Sequence, residues 1–260
     1  MGSITTIGWT DKTHNEWIAC QKVTEEECGD CYALRWANRH GMDVWGSLYE
    51  SNRHLTKTHD NPRQWNKEAQ AQGKRFKVFC ASLSDVFEPH PQVAEARVRL
   101  WQLIEETPFL DWQLLTKRPK FIRNLVPQSW LQTWPDHVWI GTSVGTQSAA
   151  EKRIPYVLDL PAPVNFLSCE PLVENLILDI WLKQKKINWL ICGGYSGTQG
   201  RAYPLPIVVP GREALIYDAD AWHVWNGRRG IVTRYSFFLL GYIRYWLSGY
   251  GNSIFTDGKL

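Results

Sequence analysis

Five short apolar segments constrain the fold of this chain more than any other feature. Each is rich in β-branched and aromatic residues and ends in small or polar residues; they span residues 77–85, 111–119, 137–145, 164–172 and 187–197. Helical patterns lie between some of them, over residues 91–107 and 148–160. Strands that are buried on both faces read as continuous apolar runs, and their alternation with helices is typical of parallel βαβ units.

With a further strand expected around residues 16–20, this pattern predicts an α/β fold, a full or partial (β/α) barrel of the TIM type over residues 1–200. An open doubly wound sheet is the competing fold. From residue 201 onward the periodicity is lost. We therefore predict that residues 201–260 form a divergent C-terminal segment, which either completes the barrel or is atypical.

Polar and small residues stand at or near the carboxyl ends of the predicted strands, where both folds bind ligands. The predicted site consists of Ser82, Asp85, Lys117, Arg118, Ser143, Gln147, Cys169, Glu170, Gly193 and Gly194. Ser82, Asp85, Ser143 and Glu170 are the predicted cofactor contacts, together with the two glycines, which allow a close approach of the backbone. For Ser82 and Asp85, a helix N-cap is the alternative.

Substrate contacts are predicted at Lys117, Arg118 and Gln147, because two cations at a strand end suit a phosphate or carboxylate. A solvated turn is the alternative for the two cations. Lys117 and Cys169 are the candidate catalytic residues. Cys169 would donate a hydrogen atom, and a packed thiol is its alternative.

Composition bears on the location and the partners. The chain has neither an N-terminal apolar signal segment nor an uncharged apolar run of membrane-spanning length, so we expect a cytoplasmic protein with no membrane partner. Thiols stay reduced there, and six cysteines then indicate metal binding or catalysis before disulfides. A net charge of +3 and 15 tryptophans are compatible with a nucleic-acid or nucleotide partner but do not require one.

Three cysteines, Cys20, Cys28 and Cys31, stand close together just before a helical pattern over residues 32–40. Three interpretations compete: unrelated buried thiols, a structural zinc site with His14 or His40 as the fourth ligand, and a 4Fe–4S cluster with one open iron. An open iron that binds S-adenosylmethionine is the basis of 5′-deoxyadenosyl radical chemistry. The position favours the cluster, because a cysteine loop before the first helix of a barrel is where such a cluster belongs.

A resemblance points the same way. The stretch GWTDKTHNEWIACQKVTEEECGDCYA, followed in order by SLSDVFE, LLTKRP, VWIGTSV, RIP, FLSCEPL and ICGGYSG, resembles a phage-associated three-Cys-motif protein family of unknown function that is described as radical-SAM-like. The resemblance covers residues 7–201. It implies a radical-SAM-type barrel whose 4Fe–4S cluster is held by Cys20, Cys28 and Cys31, with S-adenosylmethionine as cofactor, an electron donor, and a phage or mobile-element partner protein.

Tyr32, which follows the third cysteine, would pack against the cluster or the adenine, and an ordinary helix aromatic is its alternative. Three features depart from the resemblance. Tyr195 stands where that family usually has a glutamate, the segment after residue 201 does not look like the family's usual ending, and the first two cysteines are farther apart than in the commonest radical-SAM pattern. Tyr195 and that ending make a decayed family member one alternative.

We predict a radical S-adenosylmethionine-type iron–sulfur enzyme acting on an unknown substrate, with nucleic acid or a nucleotide favoured. The alternative from another class is a zinc-stabilised, non-catalytic nucleic-acid-binding phage protein.

Overall fold

The computed structural model describes Thr5, residues 7–46 and 52–193, and four later strand segments. The strands, numbered along the chain, are β1 (Lys12–His14), β2 (Trp17–Ile18), β3 (His54–Leu55), β4 (Phe76–Cys80), β5 (Leu110–Thr116), β6 (Val138–Ser143), β7 (Asn165–Cys169), β8 (Leu176–Ile177), β9 (Trp189–Gly193), β10 (Ile207–Val208), β11 (Val224–Trp225), β12 (Arg228–Arg229) and β13 (Arg234–Phe238).

Eight α-helices lie in the described part of the chain, and two short 3₁₀ turns, Pro91–Val93 and Pro119–Phe121, precede two of them. The helices are α1 (Glu25–Cys28), α2 (Tyr32–Arg39), α3 (Asn61–Gln72), α4 (Ala94–Glu105), α5 (Ile122–Leu125), α6 (Gln128–Gln132), α7 (Gln147–Leu158) and α8 (Asp179–Leu182). None of the helices in these residues is long and apolar enough to cross a membrane.

The main sheet runs in the order β1-β4-β5-β6-β7-β9-β13. Its first six strands are parallel and curl into a half-barrel, while β13 pairs antiparallel with β9. The parallel strands follow one another in chain order, which is the winding of a barrel, whereas a doubly wound sheet reverses direction at a switch point. The prediction of an α/β fold with a partial (β/α) barrel is therefore confirmed at this level.

All five predicted strands belong to this sheet as β4, β5, β6, β7 and β9, and the three predicted helical patterns appear as α2, α4 and α7. The first strand differs from the prediction. The sheet strand is β1 at residues 12–14, and Trp17–Ile18 instead pairs antiparallel with β3 in a separate two-stranded sheet. The chain leaves the main sheet at Asn15, whose side chain accepts the Leu83 N–H at 2.7 Å and donates to Ser82 Oγ at 2.9 Å.

Side chains alternate between the two faces of the half-barrel. The outer face packs against the helices through Val78, Leu114, Ile140, Leu167 and Leu190. The inner face carries Phe79, Leu115, Trp139, Phe166, Trp189 and Ile191, which pack with Trp9. Most of the described tryptophans are buried in these layers, so the high tryptophan content largely reflects the core.

Candidate functional site

A cavity of about 1060 Å³ opens at the carboxyl ends of the parallel strands. The register brings these ends together: Thr116 pairs with Thr142, Ser143 with Ser168, and Cys169 with Cys192. Ten of the predicted site residues line this cavity, which we call the cysteine cavity: Cys20, Cys28, Cys31, Tyr32, Ser82, Asp85, Lys117, Arg118, Ser143 and Glu170.

The loop that carries the three cysteines follows β2 and passes beside the end of β4 as it reaches the cavity. Ala19 donates its N–H to Leu83 O at 2.9 Å and forms a parallel bridge with Ser84. Its φ of 91° lies in a region that residues other than glycine rarely adopt. Cys28 then ends α1, and Cys31 is the N-cap residue of α2.

A buried ion-pair network fixes the first half of this loop. Both backbone polar groups of Gln21 are hydrogen-bonded to this network. The Gln21 N–H donates to Glu88 Oε1 at 2.6 Å, and the Gln21 carbonyl accepts from Arg118 Nη2. Arg118 Nη1 also donates to Asp85 Oδ2 at 3.0 Å, and Arg53 contacts both oxygens of Glu88 at 2.8 and 2.9 Å. All four charged side chains of this network are buried, so the residue after Cys20 is held by paired charges.

A second buried ion pair fixes the other half. Glu27, directly before Cys28, accepts from Arg153 Nη1 at 2.9 Å and from the Gly145 N–H at 2.9 Å. Arg153 Nη1 also donates to Ser143 O at 2.7 Å. A Cβ at Gly145 would lie 2.2 Å from Pro171 O and 3.2 Å from Glu27 Cγ, so a glycine is needed there for this contact. The cysteine loop is thus tied to the ends of β4, β5 and β6.

The carboxylate of Asp85 has four donors. Its Oδ1 accepts from the Thr116 hydroxyl at 2.7 Å and the Phe87 N–H at 3.0 Å, and its Oδ2 accepts from the Lys117 N–H and from Arg118 Nη1. Both Asp85 and Arg118 line the cavity, but their charged groups bind each other and the protein backbone. In the structure these two charged groups therefore hold the cysteine loop and the strand ends in position.

The remaining lining residues present polar groups to the cavity. Lys117 Nζ lies 3.5 Å from Ser143 Oγ. The Tyr32 hydroxyl donates to Ser82 O, which ties α2 to the end of β4. A Cβ at Gly193 would lie 2.2 Å from Glu170 Oε1, so Gly193 acts by leaving space for the Glu170 carboxylate.

Two predicted site residues lie away from the cavity. Cys169 is fully buried on the outer face of the sheet, among the residues that pack against α7 and α8, because its neighbours Ser168 and Glu170 take the cavity side. A packed thiol fits this position, and the predicted hydrogen-atom donor does not. Gln147 Oε1 accepts a hydrogen bond from the Ile177 N–H of β8 at 2.9 Å. Gly194 and Tyr195 lie outside the described residues.

Ser168 is a site residue that the sequence did not single out. Its hydroxyl is buried, lines the cavity beside Ser143, and has no hydrogen-bond partner among the described residues. Ser84 Oγ, also on the cavity lining, is in the same situation. A buried hydroxyl without a partner is costly unless a ligand or water completes its hydrogen bonding. The only sequence signal for Ser168 was its place next to Cys169 at a strand end.

The thiols differ in their surroundings. Cys28 is buried, whereas Cys20 and Cys31 are partly exposed. Burial of its sulfur raises the pKa of Cys20 well above the ordinary range, Arg118 opposes that rise, and Glu88, Asp85 and Cys31 add to it. A thiol of this kind loses its proton when it binds a metal.

The donor set can be compared with the two kinds of metal group. A single zinc ion needs four ligands that converge on one point, and the described residues contain no group of three or more His, Cys, Asp or Glu side chains arranged to hold one ion. Neither expected fourth ligand lines the cavity: His14 lies on the outer face, and His40 stacks on Trp36 with ring centroids 4.0 Å apart. A 4Fe–4S cluster would use the three thiols differently, since each thiolate binds a different iron.

Comparison with known proteins gives one match. Residues 4–205 match a protein family described as "Protein of unknown function (DUF5131)". The match ends close to the predicted boundary at residue 200. No curated protein matches the chain, and no solved structure does so either.

Proposed function

We propose that this chain, which belongs to the DUF5131 family of proteins of unknown function, is a radical S-adenosylmethionine-type iron–sulfur enzyme. The observation that carries the proposal is the position of Cys20, Cys28 and Cys31. All three line a single cavity at the carboxyl ends of a half-barrel, and buried ion pairs hold the loop next to two of them. Three thiols in a hydrophobic core would need no such anchoring.

In this proposal the three cysteines hold a 4Fe–4S cluster and leave one iron for S-adenosylmethionine. When bound, the cluster and its cofactor would supply one-electron chemistry, with electrons from a separate donor. The rest of the cavity belongs to the chain. Tyr32, Trp36 and Trp45 offer aromatic faces to an adenine, and Glu170 suits an ammonium or ribose group.

Lys117, Ser143 and Ser168 are the proposed contacts for a carboxylate or phosphate. Lys117 supplies the charge, and the two hydroxyls stand side by side on the inner face. Below them, Trp9 and Phe79 form an apolar floor with ring centroids 4.6 Å apart. This floor would keep water away from a reactive group held above it. We further propose a cytoplasmic location, where thiols and a reducible cluster both persist.

Anaerobic purification with iron and sulfide analysis, followed by EPR spectra of the reduced protein, tests the proposal. We expect about four irons per chain and a spectrum that S-adenosylmethionine perturbs. Cys28→Ala should lose the iron. Cys80→Ala, which removes a buried thiol away from the cysteine cavity, is the matched control and should keep it.

The second candidate is a zinc-stabilised, non-catalytic nucleic-acid-binding phage protein. A lysine-rich surface beside the cysteine cavity, at Lys117, Lys120 and Lys152, favours a nucleic-acid partner in either case. About one zinc per chain and no iron in the anaerobic protein would reject the radical enzyme and support this candidate.

A further inference from the structure

A second cavity, of about 650 Å³, lies beside the cysteine cavity, and we call it the lysine groove. The loop after Cys20, the turn after β5 and helix α7 form its walls. Gln21, Val23, Lys117 and Arg118 line both cavities, so the two spaces are neighbours. A ligand in the groove therefore extends toward the cysteines.

More cations than carboxylates line the groove. Six cations line it, but Arg118 and Arg153 are buried and paired with Asp85 and Glu27. Lys22 pairs with Glu25 at 3.2 Å. That leaves Lys117, Lys120 and Lys152, none of which forms a salt bridge with a carboxylate in the described part of the chain. Lys117 and Lys120 lie on the turn after β5, and Lys152 lies on α7.

Two carboxylates also line the groove, Glu26 and Glu174. Glu174 is occupied in the fold, since its Oε1 accepts the Gln147 N–H at 2.6 Å at the start of α7. The lysines therefore outnumber the carboxylates that face them. A groove of this kind attracts a ligand with several negative charges.

Aromatic rings stand among these cations. Tyr156 lies four residues after Lys152 on α7, lines the groove, and keeps 50% of its surface exposed. Phe121 lines it as well, with Lys120 Nζ 4.9 Å from its ring centroid. Cations that follow a backbone, interleaved with aromatic faces on which bases stack, are typical of sites for single-stranded nucleic acid.

We propose that the lysine groove binds the phosphate backbone of a single nucleic-acid strand and leads one nucleotide of that strand into the cysteine cavity. Lys120 and Lys152 bind flanking phosphates, Tyr156 stacks on a flanking base, and Lys117 stands where the strand passes from one cavity to the other. The proposal names single-stranded nucleic acid as the substrate class of the proposed enzyme. It rests on the proposed function only for the reason that the strand is bound, because phosphate binding itself needs no cluster. A paired duplex cannot send a nucleotide into the cavity without unpairing it.

The test is fluorescence anisotropy with a labelled single-stranded oligonucleotide of about 12 nucleotides, titrated at several salt concentrations. The double variant Lys120→Ala/Lys152→Ala should bind at least about tenfold more weakly. The slope of log K against log salt should shrink by about 1.4, since each phosphate contact on a single strand contributes about 0.7. Tyr156→Ala should bind about tenfold more weakly, while Tyr156→Phe should bind normally.

The matched control is Lys67→Ala/Lys74→Ala, which removes two exposed lysines that line neither cavity. Equal weakening by both double variants would mean that net charge alone attracts the strand, and would overturn the proposal. So would tighter binding of a duplex, or equal binding of a poly-glutamate peptide. Full competition by a mononucleotide would reassign the groove to a free nucleotide.

Iron analysis of the same samples separates this inference from the proposed function. Iron with no oligonucleotide binding would reject the lysine groove and leave the cluster proposal standing. Oligonucleotide binding that depends on the groove lysines, by protein that holds no iron, would support the lysine groove and reject the cluster proposal.

Discussion

Arg153 binds Glu27 through two parallel contacts, from Nη1 to Oε1 at 2.9 Å and from Nη2 to Oε2 at 2.5 Å. The two residues are separated by 126 positions in the chain, and both side chains are buried. This pair ties the residue before Cys28 to helix α7. A bidentate arginine–carboxylate pair also fixes direction, because the planar guanidinium matches the carboxylate.

Arg153→Met should therefore destabilise the protein and reduce the amount of iron bound by the cysteine loop. The substitution leaves Glu27 buried without its partner, which costs about 3–5 kcal/mol in comparable cases. Urea unfolding gives the free energy, and iron analysis gives the loading. The control is Arg123→Met, which breaks the exposed Arg123–Asp159 pair and should cost no more than about 1 kcal/mol. Equal losses in both variants would show that the Glu27 pair has no special part in holding the loop.

Gly193→Ala should move the Glu170 carboxylate out of its present position. The new Cβ would lie 2.2 Å from Glu170 Oε1, and the end of a flexible side chain shifts more easily than the backbone. We expect a modest loss of stability, about 1–3 kcal/mol, and weaker binding of S-adenosylmethionine by anaerobic calorimetry. Gly73→Ala is the control, because Gly73 lines neither cavity and its φ of 61° makes the substitution costly without any contact to Glu170. Unchanged cofactor binding in Gly193→Ala would remove Glu170 from the proposed site.

Cys20 should react slowly with an alkylating reagent in the metal-free protein. Burial raises the pKa of its thiol well above the ordinary range, so little reactive thiolate is present at about pH 8. Mass spectrometry after a short iodoacetamide pulse should find less modification of Cys20 in the folded protein than in urea. Labelling of Cys20 at the same rate in both conditions would contradict the raised pKa of this thiol.

Acid should destabilise the protein through His14. Burial lowers the pKa of His14 below its ordinary 6.5, although Glu16 Oε2, 3.2 Å from its Nε2, opposes this shift. The folded state thus binds the proton less readily than the unfolded chain. Its contribution to stability is present above pH 6.5 and is lost as the pH falls toward the folded pKa.

Glu16, the partner of His14, adds a second loss of stability at lower pH. Glu16 also contacts His59 at 2.9 Å, and Arg99 lies 3.8 Å away. Burial raises the pKa of the Glu16 carboxyl, but its interactions with the two histidines outweigh that rise and leave the pKa lowered overall. The contribution of Glu16 to stability is therefore lost only in stronger acid, below pH 4.5. Urea unfolding at about pH 7.5 and about pH 5.5 should show a smaller acid loss in His14→Gln than in the parent. The exposed His54→Gln is the control, and an equal acid loss in all three proteins would exclude His14 as the cause.

The strands and helices that build the half-barrel could be predicted from the sequence, because apolar periodicity is a local property of the chain. β4 to β7, β9, α4 and α7 all lie where that periodicity predicted them. The sequence also predicted that the three cysteines and the polar strand ends would meet, since the carboxyl ends of parallel strands share one edge. The first strand was misplaced, because the departure at Asn15 depends on its contacts with residues 82 and 83.

The role of each of those side chains could not be predicted in the same way, because it depends on contacts between distant segments. Ser168 and Cys169 are neighbours in the chain, and the pleat of β7 sends the first into the cavity and the second into the core. Arg118 looked like a substrate contact, yet distant residues bury it and pair it with Asp85. Such partners come from separate segments, and their charges cancel only where packing brings them within hydrogen-bond distance. A local sequence pattern cannot predict that distance.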